Sequence, residues 1–124
     1  MLFRSPGTRP PAPGQGALGL EVRSDDRRTR AALAPLEDGE SARHVAAERS
    51  LLAALEGGCQ APVAAWVGMG DAGCGMRLFG RVTAFDGSVQ ITASAEMDAR
   101  EPATVGVAVA DLLKAQGASR LLAR

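Results

Sequence analysis

The chain has 124 residues, 46% of them hydrophobic and 23% charged, with a formal net charge of zero. That length suits one small domain, or one domain plus a remnant of another, and the composition excludes wholesale disorder. The balanced charge, without any lysine-rich block, argues against a nucleic-acid or anionic-membrane surface.

Residues 1–14 contain Pro6, Pro10, Pro11 and Pro13 and cannot sustain a helix or a central strand, so they read as a leader or linker. Residues 16–23 alternate apolar and polar side chains towards their end and are strand-like. Ser24-Asp25-Asp26 is positioned to cap a short helix running to about Leu36. One strand and one short helix bury little by themselves, so residues 15–36 read as a remnant of an α/β domain. A longer helix follows, from Glu40 or Ser41 to Gly57, with Val45, Leu51, Leu52 and Leu55 as its apolar stripe. Arg43, Glu48 and Arg49 are its charged positions, and Glu48 and Arg49, being sequence neighbours, do not pair along one face.

Three strands are expected next, over 62–67, 76–84 and 88–96. Asp86-Gly87 is a strong hairpin signal between the last two, and 68–75 supplies the earlier turn. A final helix over 102–116 has Pro102 in its first turn and Gly117 just past its end. Val105, Ala108, Val109, Leu112 and Leu113 form its apolar stripe, and 119–124 adds a short turn or strand. Residues 37–124 thus read as an α+β domain: a small three-stranded antiparallel sheet packed by helices on one face.

The basic residues are lopsided, since Lys114 is the one lysine among 14 Lys and Arg. Arginine grips carboxylates in a bidentate fork and keeps its charge, which suits an acidic ligand; an arginine-favouring codon usage is the plainer reading. The two cysteines form no CxxC pair, the single His44 has no zinc-ligand partner spacing, and no metal site is expected. No apolar run approaches the roughly 20 residues of a membrane span, and the start does not resemble a signal peptide. A reduced, cytoplasmic, soluble protein is the expectation.

The stretch Leu55-Glu56-Gly57-Gly58-Cys59-Gln60-Ala61-Pro62 carries the most chemical information. Its glycines allow a sharp turn that holds out a thiol. A buried, inert cysteine is the plain alternative. A nucleophilic thiolate is disfavoured just after a helix C-terminus and without a positioned histidine, whereas a permanent thioether to a strong electrophile is not. Cys74 has no visible role, and His44 is expected on the solvated side of its helix. Arg49 lies about 15 Å along the helix axis from Cys59. That is within reach of a ligand larger than one ring, although a plain surface arginine is the default. Gly14-Gln15-Gly16-Ala17-Leu18-Gly19 has the wrong spacing and the wrong context for a dinucleotide fingerprint.

Pro11-Ala12-Pro13-Gly14-Gln15-Gly16-Ala17-Leu18-Gly19-Leu20-Glu21-Val22-Arg23, Ala47-Glu48-Arg49-Ser50 and Leu55-Glu56-Gly57-Gly58-Cys59-Gln60-Ala61-Pro62-Val63 resemble three signature segments of one family. They stand in its order and at its spacing. The family is hydroxymethylbilane synthase, also called porphobilinogen deaminase. The resemblance runs from Pro11 to the C-terminus and is strongest up to Val63.

It implies an enzyme that joins four porphobilinogen molecules into hydroxymethylbilane with release of ammonia, in tetrapyrrole and haem biosynthesis. The family builds this chain on a dipyrromethane cofactor held by a cysteine thioether, and the matching cysteine is Cys59. The pyrroles carry acetate and propionate groups, so the resemblance makes Arg49 a carboxylate contact. It places Gln15 and Gly16 beside the cofactor, near the hinge. Family members have three domains, which implies that 15–36 is the last return of the first domain and 37–124 the cofactor-attachment domain. The catalytic aspartate lies in the part not represented, so no catalytic residue is assigned here. The chain alone is expected to be incomplete and inactive. Its implied partners are the porphobilinogen-derived pyrrole chain and a separate polypeptide supplying the first two domains; it is otherwise expected to be a monomer. The competing readings are an inactive or stand-alone α+β fragment acting as a binding module, and a thiol-redox protein.

Overall fold

A computed structural model describes residues 9–56, 61–70, 75–98 and 100–123. Asp38 starts the principal helix. Its carboxylate accepts hydrogen bonds from the backbone N–H and the hydroxyl of Ser41, so helix α2 spans Gly39–Ala54, starting slightly earlier than Glu40 or Ser41. The helix also stops before the expected Gly57. Glu56, with φ 55°, takes the left-handed conformation that a glycine was expected to supply.

Strands β1 (Val63–Met69), β2 (Met76–Thr83) and β3 (Gln90–Glu96) form an antiparallel sheet in the order β1-β2-β3. Ala65 pairs with Gly80, and Gly80 with Ala93. Gly68, expected in the first turn, lies inside β1, and the Gly70 N–H donates to the Gly75 carbonyl at 2.9 Å to close the ladder. In the second hairpin the Gly87 N–H donates to the Ala84 carbonyl at 2.8 Å, with Gly87 at φ 76°. The Asp86 carboxylate fastens the same turn through the N–H and hydroxyl of Ser88.

One face of the sheet is covered by α2 and by α3 (Pro102–Ala115). Leu78 and Val82 from β2 meet Leu51 from α2 and Val109 and Leu113 from α3 in the core, all fully buried. The α3 stripe is rotated from the expected one: Gly106 and Ala110 are buried, while Ala108 and Leu112 are exposed. Gly106 explains the rotation. A Cβ there would stand 2.6 Å from the Ala47 carbonyl oxygen and from the Leu51 nitrogen, so the two helix backbones cross in close contact at this point. Gly117 (φ 99°) then turns the chain into α4 (Ala118–Leu122), the short turn expected near the C-terminus. On the opposite, open face of the sheet, Trp66 stacks on Phe79 with ring centroids 5.1 Å apart.

The arm before this domain differs. Helix α1 (Arg27–Leu33) starts where expected, with the Asp26 carboxylate accepting from the Thr29 N–H and hydroxyl, and runs into a 3-10 turn over Ala34–Leu36. The strand expected over 16–23 is not formed. Alternation assigns faces to a strand but supplies no ladder partner. Two outward N–H groups of edge strand β1 are taken, that of Ala65 by the Pro11 carbonyl at 3.2 Å and that of Val67 by the Glu48 side chain. Leu18 is 97% exposed and Leu20 63% exposed.

Candidate functional site

A turn at residues 12–16 starts the site. The Gln15 N–H donates to the Ala12 carbonyl at 3.0 Å, and the Gln15 side-chain carbonyl accepts from the Ala12 N–H at 2.9 Å. Gly14 (φ 72°) and Gly16 (φ 87°) supply the two left-handed conformations that the turn requires. With its Oε1 occupied, Gln15 has the two N–H donors of Nε2 to offer a ligand.

Three contacts seat this turn on the domain. The Pro11 carbonyl accepts from Ala65 in β1. The Gly14 N–H donates to Glu48 Oε2 at 2.7 Å, and the Val67 N–H donates to Glu48 Oε1 at 3.2 Å. Arg49 follows Glu48 on α2, and its Nε lies 3.8 Å from the point that a Cβ on Gly14 would occupy. Gln15, Gly16 and Arg49 are thereby brought to one open cleft of about 840 Å³, between residues 14–22 on one side and the α1–α2 region on the other.

The charges in the cleft are unequally committed. Glu48 is engaged by two backbone N–H groups, and among the described residues Arg49 is in no ion pair. Arg30, also in the lining, donates to the Ser24 carbonyl at 3.2 Å. His44, expected on the solvated side of its helix, lines the cleft instead, with its side chain 25% exposed and Nε2 3.9 Å from the Glu40 carboxylate. At the rim, the Ser41 hydroxyl, followed by the Ser41 backbone N–H, holds Asp38 below the usual carboxylate range. The cleft thus offers an accessible guanidinium and side-chain amide donors, a set suited to binding carboxylates.

Cys59 and Cys74 lie outside the described residues. Glu48 is the site residue that sequence reasoning missed as a contact. Its signal was its place in the Ala47-Glu48-Arg49 segment, at the border of the apolar stripe headed by Leu51. Among the described residues no group of three His, Cys, Asp or Glu side chains is placed to hold a metal ion, and no helix is long and apolar enough to cross a membrane.

Residues 42–115 match the family model described as porphobilinogen deaminase, C-terminal domain. The chain belongs to the porphobilinogen deaminase family. The matched span takes in most of α2, all three strands and α3, so the three-stranded antiparallel sheet with its helices is the α+β C-terminal domain of that family. The chain is similar to the porphobilinogen deaminase of Acidithiobacillus ferrooxidans, with 46% identity over 115 residues, covering 90% of this chain and 35% of the relative. It is also 46% identical over 112 residues to that of Thiobacillus denitrificans, covering 90% of this chain and 36% of the relative. With that of Syntrophotalea carbinolica it shares 42% identity over 113 residues, covering 91% and 35%. The chain therefore spans about a third of the length of these relatives and corresponds to their C-terminal portion.

Proposed function

We propose that this chain is the cofactor-carrying portion of a hydroxymethylbilane synthase. In this reading Cys59 Sγ holds a dipyrromethane as a thioether, and Arg49, Gln15 and Gly16 border it. The observation that carries the reading is the convergence of Arg49 and the Gly14–Gly16 turn on one cleft, with the Arg49 charge not neutralised by Glu48. The donor set fits the group. Arg49 offers a fork to a pyrrole acetate or propionate, Gln15 Nε2 offers two further N–H donors, and a side chain on Gly16 would meet nothing within 4 Å, so the turn backbone is open to a ligand.

When bound, the dipyrromethane supplies the pyrrole terminus on which four porphobilinogen units are joined with loss of ammonia. This chain's own residues hold and orient its carboxylates. The aspartate and the remaining cationic contacts of the family belong to the other two-thirds of the enzyme, on the same or on a separate polypeptide. The exposed apolar side chains of Leu18, Leu20 and Leu36 are the surface that this remainder would cover. The compartment that follows is the cytoplasm. A stand-alone carboxylate-binding module is the second reading, favoured by the buried core that residues 37–123 possess on their own.

The test is mass spectrometry of the endogenous protein, captured through its C-terminal helix. A two-pyrrole adduct on the Cys59 peptide is expected, absent in Cys59→Ser. Arg49→Gln is expected to lower occupancy of that adduct about tenfold or more, the loss of a charge-assisted pair. A bare Cys59 thiol in active enzyme overturns the proposal.

A further inference from the structure

We infer that Glu48 is a positioning residue of the cleft: its carboxylate clamps the Gly14–Gly16 turn to β1 and so holds Gln15 in the cleft that Arg49 also lines, for a carboxylate-bearing pyrrole. The ligand half of this inference rests on the function proposed above; the clamp itself does not. Glu48 is partly buried, and its two oxygens serve two different segments, Gly14 Oε2-bonded at 2.7 Å and Val67 Oε1-bonded at 3.2 Å. Those segments lie 34 residues before it and 19 residues after it, so one side chain on α2 fixes a turn and a strand that share no local sequence connection. Ionised carboxylates accepting backbone N–H groups make shorter and stronger bonds than neutral acceptors.

The clamp has two consequences for the cleft. It fixes the height of the turn over α2, where Arg49 Nε lies 3.8 Å from the position of a Gly14 Cβ. It also keeps a carboxylate beside Arg49 turned towards the backbone. A Glu48 released from Gly14 would put a negative charge at the cleft wall, where it would compete for Arg49 and repel an anionic ligand. Glu48→Gln removes that charge but leaves one acceptor oxygen for two donors, so one of the two N–H groups loses its partner.

The experiment compares the full chain and Glu48→Gln by nitrogen-resolved NMR, with two readouts. The first is amide exchange at Gly14 and Val67, with the amides of Leu51 and Val109 as controls for the core. The second is titration with porphobilinogen, followed at Gln15 Nε2 and Arg49 Nε. In the variant, exchange at Gly14, Val67 or both is expected to rise about tenfold, the weight of one charge-assisted hydrogen bond, with the core controls unmoved. The porphobilinogen midpoint is expected to rise by a similar factor. Unchanged exchange at both amides overturns the clamp, as does a rise shared equally by the core. A midpoint that stays put while exchange rises makes Glu48 structural only and overturns its positioning role. Absence of any porphobilinogen response in the unaltered chain sinks the proposed ligand instead, and the exchange comparison alone then decides the clamp.

Discussion

The arm over residues 15–36 and the sheet-and-helix region that follows it both contain capped helices, yet they end in opposite states. Asp26 caps α1 and Asp38 caps α2 by the same device, a carboxylate accepting from the N–H and hydroxyl three residues on. Helix α2 then buries Ala47 and Leu51 completely, whereas α1 buries nothing. The difference lies in what stands opposite. Helix α2 meets α3 and the sheet, while the apolar side chains of Leu18, Leu20 and Leu36 line the open cleft and stay exposed. Local sequence chemistry starts an element, but only an opposing surface buries it.

The largest effects should fall on the domain side of this comparison. Leu51 is fully buried between α2, the sheet and α3, so Leu51→Ala should lower stability by about 3 kcal/mol through lost burial and the cavity left behind. Leu18→Ala, at a position 97% exposed, should stay within about 0.5 kcal/mol. Urea unfolding of both variants measures the contrast. Equal losses would mean that the arm is packed in solution and would dissolve the distinction between the two regions.

Gly106→Ala should come next. Alanine favours a helix over glycine by about 1 kcal/mol, which alone would stabilise α3. The added Cβ, however, would meet backbone atoms of Ala47 and Leu51 at 2.6 Å, and backbone cannot step aside as a flexible side chain can. Overpacking of about 3 kcal/mol outweighs the propensity gain and leaves a net loss of about 2 kcal/mol. Gly80→Ala is the milder case, because its closest neighbours are side-chain methyls, Leu51 Cδ1 at 2.7 Å and Val109 Cγ1 at 2.9 Å. A stabilised Gly106→Ala in thermal unfolding would show that the α2–α3 crossing is looser than described.

The same contrast separates what the sequence makes legible from what it does not. Pro102 and Gly117 bracket α3, Asp86-Gly87 marks a hairpin, and the alternation of Leu78, Gly80 and Val82 marks the buried face of β2; each of these is a local signal that its neighbours reinforce. The alternation towards the end of 16–23 gives no strand, because alternation assigns faces but supplies no ladder partner. The site divides in the same way. Gln15, Gly16 and Arg49 line one cleft that no local pattern describes. Glu48 reads as one more charged helix position, since both its partners are distant in sequence. The α3 stripe is legible at Val105, Val109 and Leu113 but not at Gly106, which looks like a weak point in a helix until α2 lies against it.

The smallest effect probes the comparison at its two caps. Asp26 and Asp38 are held below the ordinary aspartate range chiefly by the hydroxyls of Thr29 and Ser41, and then by the backbone N–H groups of the same residues. A carboxyl whose value is depressed in the folded state contributes stability that is present above its unfolded value, near 3.9, and is lost as pH falls through the depressed folded value. Both caps should therefore be intact at neutral pH and let go below the usual aspartate range. The consequences should differ. Helix α1 has seven residues and no buried side chain, well short of the roughly 12–15 that an isolated helix needs, so loss of its cap should unravel it. Helix α2 should merely fray at Gly39 and Glu40, because Ala47 and Leu51 hold it to α3 and the sheet. A pH titration of the amide signals measures this directly. Thr29 and the rest of α1 should lose helical shifts in acid while the Leu51 amide keeps its own. If α1 survives the loss of its cap, the arm draws support from packing after all; if α2 melts together with α1, the two regions form one cooperative unit.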